Sequence, residues 1–197
     1  MPILKKGLVQ VYTGDGKGKT TAAFGLACRM LGAGGRVYIC QFLKPPDNIS
    51  GEMCLSPLFA DRLTIDRIEQ DWNLCNSLAD PDQVEKMRQA ISNKLTYIKE
   101  LSRGGRYDLM ILDEIVFCLS NNLAPWPAVL AIIDSRAEYV EFVLTGRGAD
   151  GKLLARADLV TQMRSIKHPL QRDIAARQTR TPGHGYSPVS GASVYFF

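Results

Sequence analysis

Thr13-Gly-Asp-Gly-Lys-Gly-Lys-Thr-Thr21 is a glycine-rich turn between a short apolar run and a segment of helical composition. The run before it, residues 7–13, predicts a buried strand that stops at Gly14. The segment from Lys19 to the glycines at 32, 34 and 35 predicts a helix. A strand, a glycine-rich turn and a helix in this order are the setting in which a P-loop holds the phosphates of a nucleotide.

The turn also contains the residue types that such a site needs. Backbone N–H groups around the glycines form a nest for anions, and the helix N-terminus adds the positive end of its dipole. The Lys19 ammonium can reach the terminal phosphates, and the Thr20 hydroxyl can bind Mg²⁺. Thr13 stands where the usual pattern has its first glycine, with Gly14 one position later. We predict a nucleotide site formed by Gly14, Asp15, Gly16, Lys17, Gly18, Lys19, Thr20 and Thr21.

The rest of the chain alternates apolar runs with helical patterns. Strands are predicted over residues 36–42, 63–68, 107–113, 139–145 and 159–166, and helices over residues 81 to about 104 and 125–135. Asp80 and Pro81 start the longer helix, and residues 44–57 are predicted to be a loop. This alternation predicts an α/β fold of the RecA-like P-loop NTPase type, with a mostly parallel sheet of about six strands and helices on both faces. We expect a single nucleotide-binding domain over residues 1–178 and a C-terminal tail over residues 179–197.

Two more predicted strands are followed by groups suited to phosphate chemistry. Asp113 and Glu114 end one strand, where Asp113 can orient the water shell of a metal ion and Glu114 can hold a metal-bound or attacking water. Residues 146–148, Gly-Arg-Gly, follow another strand at the same edge of the sheet, so Arg147 can neutralise phosphate charge. Taken alone, the acidic pair also fits a surface turn and Arg147 a solvated turn residue.

Composition restricts the class of protein. The 197 residues are 46% hydrophobic and 22% charged with a net charge of +4, which suits one buried core without disulfides. No basic stripe indicates nucleic-acid binding, no apolar run approaches the roughly 18 residues of a membrane span, and residues 1–6 are unlike a secretory signal. The five cysteines include no C-x-x-C pair and are expected to be reduced. These features predict a cytoplasmic protein that binds neither nucleic acid nor a membrane.

Several motifs occur in a specific order. They are Gly-Asp-Gly-Lys-Gly-Lys-Thr-Thr-Ala-Ala-Phe-Gly at residues 14–25, Gln-Phe-Leu-Lys at 41–44, Gly-Glu at 51–52, Leu-Asp-Glu at 112–114, Leu-Thr-Gly-Arg-Gly at 144–148, Ala-Asp at 157–158 and Lys-His at 167–168. In these motifs, from about residue 7 to residue 178, the chain resembles the P-loop type of ATP:cob(I)alamin (corrinoid) adenosyltransferase. The resemblance implies transfer of the 5′-deoxyadenosyl group of ATP to the Co(I) centre of a reduced corrinoid, with release of triphosphate. It also implies Mg²⁺ or Mn²⁺, a homodimer and an electron-donating flavoprotein.

The resemblance also implies roles for individual residues. Lys19, Arg147 and Glu114 would be catalytic, and Thr20, Asp113 and Glu114 would hold the metal ion. Two further residues are implied in binding with alternatives left open: Arg29 assists at the nucleotide or faces solvent, and Trp72 contacts the corrinoid or caps the core.

Departures from the family cluster on the corrinoid side. Gln70 stands where relatives tend to carry a second aromatic residue, Asp173 stands near a family glycine, and only residues 1–6 precede the first strand. The tail after residue 178 is also unrelated, and we expect Tyr195, Phe196 and Phe197 to supply part of the missing corrinoid cover. The alternative is that this apolar end forms a dimer contact.

Two other functions remain open from the sequence. One is a P-loop ATPase or kinase, in which Glu114 activates a water or a substrate hydroxyl and ADP is the product. The other is a non-catalytic, nucleotide-dependent corrinoid carrier, which binds a corrinoid and forms no cobalt–carbon bond. A RecA-like nucleic-acid motor would need a basic groove with stacking aromatic residues, which the sequence lacks.

Overall fold

The computed structural model describes residues 2–44, 51–59, 61–68, 70–73 and 76–167. Six strands are present in these residues: β1 Val9–Thr13, β2 Val37–Gln41, β3 Leu63–Arg67, β4 Leu109–Asp113, β5 Glu141–Thr145 and β6 Leu159–Gln162. They form one sheet in the order β3-β2-β4-β5-β1-β6, and every pairing is parallel. The predicted parallel α/β sheet of about six strands is therefore confirmed.

Five α-helices connect these strands: α1 Lys19–Gly32, α2 Pro81–Arg103, α3 Ile115–Ser120, α4 Trp126–Ser135 and α5 Gly151–Arg156. The start of α2 is as predicted, because the Asp80 side chain accepts hydrogen bonds from the backbone N–H groups of Asp82 and Gln83. None of the helices in the described ranges is long and apolar enough to cross a membrane.

Two predictions of local structure were wrong, and two short helices were not predicted. Part of the expected loop over residues 44–57 is a 3₁₀-helix, Gly51–Phe59. The last strand ends at Gln162 instead of residue 166. Helices α3 and α5 were not predicted, because each has six residues, fewer than two turns, and shows no usable period of 3.6.

Each face of the sheet packs on its own hydrophobic core. Helix α1 covers one face, where Phe24 and Leu31 pack with Ile39 of β2 and Ile111 of β4. Helices α2 and α4 cover the other face and contribute to the larger core. Because successive side chains of a strand alternate between faces, the last residues of β2, β4 and β5 point to the α1 side.

The order of the strands separates the two halves of the predicted nucleotide site. Strand β5 lies between β1, which leads into the glycine-rich loop, and β4, which ends in Asp113. Strand β6 is the edge next to β1, and all four of its residues are exposed. The predicted tail over residues 179–197, with Tyr195, Phe196 and Phe197, lies outside the described residues, as do His168 and Asp173.

Candidate nucleotide and metal site

The glycine-rich loop over residues 14–18 is held against the chain that follows β6. Gly16 donates from its backbone N–H to the Met163 carbonyl oxygen over 2.8 Å. A Cβ atom on Gly14, whose φ is 94°, would lie 2.4 Å from the same oxygen, and one on Gly16 would lie 2.7 Å from the carbonyl carbon of Arg164. The close approach of this segment therefore requires glycine at both positions.

Lys19 is the first residue of α1 and is only 7% exposed. Its Nζ donates to the carbonyl oxygens of Gly14 and Gly16, over 2.6 Å and 2.8 Å. Burial lowers the pKa of the Lys19 ammonium, the charge of Glu114 opposes this, and that of Arg147 adds to it. The predicted phosphate-binding lysine thus binds the backbone of its own loop. Its pKa is also affected by the charges of Glu114 and Arg147, two other predicted site residues.

Asp113 joins three elements through one carboxylate oxygen. Its Oδ1 accepts hydrogen bonds from Thr20 Oγ1 over 2.8 Å and from Thr145 Oγ1 over 2.7 Å. Thr145 Oγ1 also accepts from the backbone N–H of Glu114 over 3.0 Å. Burial raises the pKa of the Asp113 carboxyl, and the bonds from the two threonines oppose that rise. Thr145 was not predicted as a site residue, because its role depends on β5 lying beside β4.

Glu114 follows directly and has a φ of 68°, an uncommon conformation for a residue other than glycine. Its side chain is half-buried. Burial and the charge of Asp113 raise the pKa of Glu114, whereas the charges of Lys19, Lys44 and Arg147 lower it. Three cationic groups therefore act on one carboxylate at this edge of the sheet. Lys44 closes the Gln-Phe-Leu-Lys motif, to which sequence analysis assigned no role.

Arg147 is exposed, and hydrogen bonds join its loop to β1 and to α3. Gly146 donates from its backbone N–H to the Tyr12 carbonyl oxygen over 3.1 Å, and Ser120 Oγ donates to the Arg147 carbonyl oxygen over 3.3 Å. The loop is thereby tied to β1 and to α3. As predicted, it lies at the same edge of the sheet as the glycine-rich loop.

The oxygen donors at this edge fit a small divalent cation. Thr20 offers a hydroxyl, Glu114 a carboxylate, and Asp113 its Oδ2, which accepts no hydrogen bond from the part of the chain that the structure describes. Oxygen ligands of this kind suit Mg²⁺, which is commonly held by one or two carboxylates together with waters and substrate phosphates. In the described ranges, no group of three or more His, Cys, Asp or Glu residues forms a separate metal site.

The remaining predicted residues of the nucleotide site are exposed. Arg29 is exposed in the last turn of α1, ten residues after Lys19 and so about 15 Å further along the helix axis. Asp15, Lys17 and Thr21 are exposed around the loop.

Trp72 follows β3 in the chain and is only 4% exposed. It packs in the larger hydrophobic core, as the core-capping alternative predicted. Its indole N–H donates to none of the described residues. The residue also lines a cleft of about 470 Å³ together with Gln70, Asp71, Asn73, Gln83 and Lys86. Core packing and contact with a ligand in this cleft are therefore compatible.

Comparisons with known proteins identify relatives over most of the chain. The family described as ATP:corrinoid adenosyltransferase BtuR/CobO/CobP matches residues 5–179. The corrinoid adenosyltransferase of a Sinorhizobium species is 32% identical over 177 residues, covering 88% of this chain and 79% of the relative. Corrinoid adenosyltransferase CobA of Salmonella typhimurium is 29% identical over 173 residues, covering 88% of this chain and 84% of the relative.

Solved structures similar to this one are more distant in sequence. The flagellar accessory protein FlaH of Methanocaldococcus jannaschii aligns with a TM-score of 0.55 and 13% identity, over 81% of this chain and 72% of that one. A KaiC-like protein of Pyrococcus horikoshii aligns with a TM-score of 0.52 and 14% identity, over 82% of this chain and 75% of that one. These likenesses concern the fold alone, and the predicted RecA-like P-loop fold is confirmed.

Proposed function

The chain belongs to the ATP:corrinoid adenosyltransferase family, and we propose that the polar cluster around Asp113 is its ATP and metal site. The reaction transfers the 5′-deoxyadenosyl group of ATP to a reduced corrinoid in adenosylcobalamin synthesis. The observation that carries the assignment of the site is the hydrogen bond from Thr20, directly after the loop lysine, to Asp113 at the end of β4. It joins the two halves of a P-loop site in one place.

The chemistry requires positioning and charge stabilisation more than proton transfer. The Co(I) electron pair attacks C5′ of the ribose, a cobalt–carbon bond forms, the C5′–O bond breaks, and its electrons leave with triphosphate. Co(I) becomes formally Co(III), and no general base is needed. What the protein must supply is alignment of ATP and stabilisation of the negative charge on the leaving group.

Three cationic side chains suit that task. We propose that Lys19 leaves the carbonyl oxygens of Gly14 and Gly16 to bind the triphosphate. Arg147 and Lys44 add positive charge from the ends of β5 and β2, which their effect on the pKa of Glu114 supports. Residues 14–18 and 20–21 contribute backbone N–H groups to the phosphate chain, with Asp15 and Lys17 at its rim.

A divalent cation, Mg²⁺ or Mn²⁺, is proposed at Thr20, Asp113 and Glu114. When bound, it would neutralise part of the triphosphate charge. Thr20 Oγ1 donates a hydrogen bond to Asp113 Oδ1, which leaves the lone pairs of the hydroxyl oxygen available to a metal ion. Asp113 keeps Oδ2 available for a metal-bound water, and Glu114 provides the second carboxylate.

The corrinoid side is proposed at the cleft beside Trp72. Its indole would form part of the apolar surface that displaces the lower cobalt ligand, so that Co(II) is reduced more easily, and Gln70 lies in the same cleft. The tail over residues 179–197 is proposed to complete the corrinoid cover. By similarity to the family, we also propose a homodimer, a flavoprotein electron donor and a cytoplasmic location. Because Arg29 lies about 15 Å along α1 from Lys19, it would contact a nucleotide bound to the partner subunit of the homodimer and not the nucleotide in the loop of its own chain.

An ATPase, a kinase and a passive corrinoid carrier differ from this function in their products. The protein, MgATP and a chemically reduced corrinoid are mixed without oxygen, the cobalt spectrum is followed, and the phosphate product is identified. A light-sensitive alkylcobalt product with one equivalent of triphosphate supports the proposal. ADP without alkylation indicates an ATPase or kinase, and corrinoid binding without either product indicates a carrier. Lys19→Ala is the control that should abolish every ATP-dependent signal.

A further inference from the structure

Gln41, the last residue of β2, is completely buried beside the proposed metal site and has an unused hydrogen-bond donor. Its Oε1 accepts from Nε of Arg67 over 2.8 Å. Its Nε2 donates to none of the residues that the structure describes. Buried amide nitrogens nearly always donate a hydrogen bond, either to the protein or to an ordered water molecule, so we expect Gln41 Nε2 to have an acceptor.

The direction of the amide follows from the chemistry of Arg67. An arginine side chain offers only donors, so the oxygen of Gln41 must face it and the nitrogen must point the other way. Arg67 is itself buried at the end of β3, and the charge of Glu52 opposes the lowering of its pKa by burial. A buried cation therefore fixes which end of the Gln41 amide faces the rest of the sheet.

Asp113 is the neighbour of Gln41 in the sheet. The two residues are register partners of β2 and β4, so their side chains leave the same face of the sheet, about 4.8 Å apart at the backbone. Asp113 Oδ2 accepts from none of the residues in the described ranges, whereas its Oδ1 accepts from both Thr20 and Thr145. An unused buried donor and an unused buried acceptor thus lie on adjacent strands.

We propose that one water molecule bridges Gln41 Nε2 and Asp113 Oδ2, which makes Gln41 a positioning residue for the metal-site carboxylate. Water accepts a hydrogen bond from the amide and donates one to the carboxylate, so that both groups are satisfied at once. The chain Arg67–Gln41–water–Asp113 then holds the carboxylate from the side opposite Thr145. The inference rests on the proposed function, because it assumes that Asp113 acts at a cation site.

The test measures metal affinity separately from turnover. Mn²⁺ is titrated into the protein with saturating ATP, and free Mn²⁺ is followed by electron paramagnetic resonance. Gln41→Leu keeps the approximate volume and removes the amide, and we expect Mn²⁺ affinity to fall at least about tenfold, as for other outer-sphere partners of metal ligands. ATP affinity measured without metal should stay within twofold of the wild type.

The matched control is Tyr38→Phe, on the opposite face of the same strand. Tyr38 donates to Asp66 over 2.8 Å, so this variant also loses a hydrogen bond of β2 but lies away from the metal cluster. Its thermal midpoint should fall while Mn²⁺ affinity stays unchanged. Equal Mn²⁺ affinity of Gln41→Leu and wild type would overturn the inference. A wild type that binds ATP but no Mn²⁺ would instead refute the proposed metal site.

A second measurement covers the case in which Gln41→Leu does not fold. A crystal structure of the wild-type protein with Mg²⁺ and ATP, at a resolution that shows ordered water, should contain a water molecule within hydrogen-bond distance of both Gln41 Nε2 and Asp113 Oδ2. The absence of an ordered water molecule between these two atoms, or a direct hydrogen bond between the two side chains, would contradict the proposed water bridge.

Discussion

Thr20 and Asp113 are 93 residues apart in the chain, and a 2.8 Å hydrogen bond joins their side chains. The bond brings the start of α1 to the end of β4. Strands β1 and β4 are not neighbours in the sheet, because β5 lies between them and pairs with both. Because Thr145 donates to the same oxygen of Asp113, the carboxylate retains one partner even when Thr20 is changed. Substitution of Thr20 therefore tests the metal site without leaving Asp113 unsatisfied at Oδ1.

The first prediction concerns Thr20→Val, which replaces the hydroxyl by a methyl group of similar size. We expect Mn²⁺ affinity in the presence of ATP to fall roughly 10–100-fold, a loss comparable with that seen around other metal sites. Titration of Mn²⁺ measures it. Thr20→Ser keeps the hydroxyl and should stay near the wild type. A Val variant that binds Mn²⁺ normally would show that Thr20 is no metal ligand.

The second prediction concerns Glu114 and pH. Burial raises the pKa of this carboxyl above its ordinary value, so the folded chain holds the proton at pH values where the unfolded chain has lost it. The stability that Glu114 contributes is fully present below the unfolded pKa and is lost as pH rises through the folded pKa. Glu114→Gln should therefore stabilise the protein more at pH 8 than at pH 4, by on the order of 1 kcal/mol or roughly 2–4 °C in Tm.

Thermal unfolding across this pH range provides the measurement for Glu114→Gln. Glu85→Gln is the control, because Glu85 is exposed on α2 and its ion pair with Arg88 is long, at 3.7 Å. A pH-independent difference between Glu114→Gln and wild type would contradict the assigned burial. A strong loss of cobalt adenosylation in the same variant would assign Glu114 a direct role at the metal ion.

The third prediction concerns Arg147, whose loop is tied to β1 and α3. Arg147→Ala should lower kcat/KM for ATP by roughly 10²–10³-fold, the usual cost of removing a donor that stabilises developing charge. Arg147→Lys should recover part of the activity, because charge remains but the planar fork is lost. Steady-state rates with chemically generated Co(I) measure both. Arg103→Ala, at the exposed end of α2, should behave as wild type.

The fourth prediction separates reduction from transfer at Trp72. Trp72→Phe keeps an aromatic ring in the core but is smaller, so the corrinoid surface should be incomplete. We expect the reaction that starts from Co(II) to slow at least tenfold, or about 1.4 kcal/mol in the barrier, and the reaction with Co(I) to change less than twofold. Trp126→Phe is the control on α4. Equal slowing in both assays would indicate that Trp72 has a structural role alone.

Sequence analysis predicted the residues whose signals are local. Lys19, Thr20 and Asp113 each stand next to an apolar strand or a glycine turn, and the structure brings them together. Thr145, Lys44 and Gln41 were not assigned to the metal site. Their importance depends on β4 lying between β2 and β5, and hydrophobic periodicity does not specify the order of strands in a sheet.

The contact between the glycine-rich loop and Met163 was missed for a similar reason. Gly16 was assigned to the phosphate loop, but nothing near it in sequence indicates that the chain after β6 returns to it. The family resemblance gave residue roles but no account of how β6 supports the loop. Such contacts between distant segments are available only from the folded chain.

The position of β5 between β1 and β4 also has a consequence for folding. The loop, Asp113 and Thr145 belong to three strands that come together only when the centre of the sheet is complete, so no partly folded chain offers the nucleotide its full set of contacts. Bound nucleotide must then oppose opening of the whole central sheet, by RT ln(1 + [L]/Kd). Amide hydrogen exchange in β1, β4 and β5 should accordingly slow together, as one cooperative unit, when ATP and metal are added.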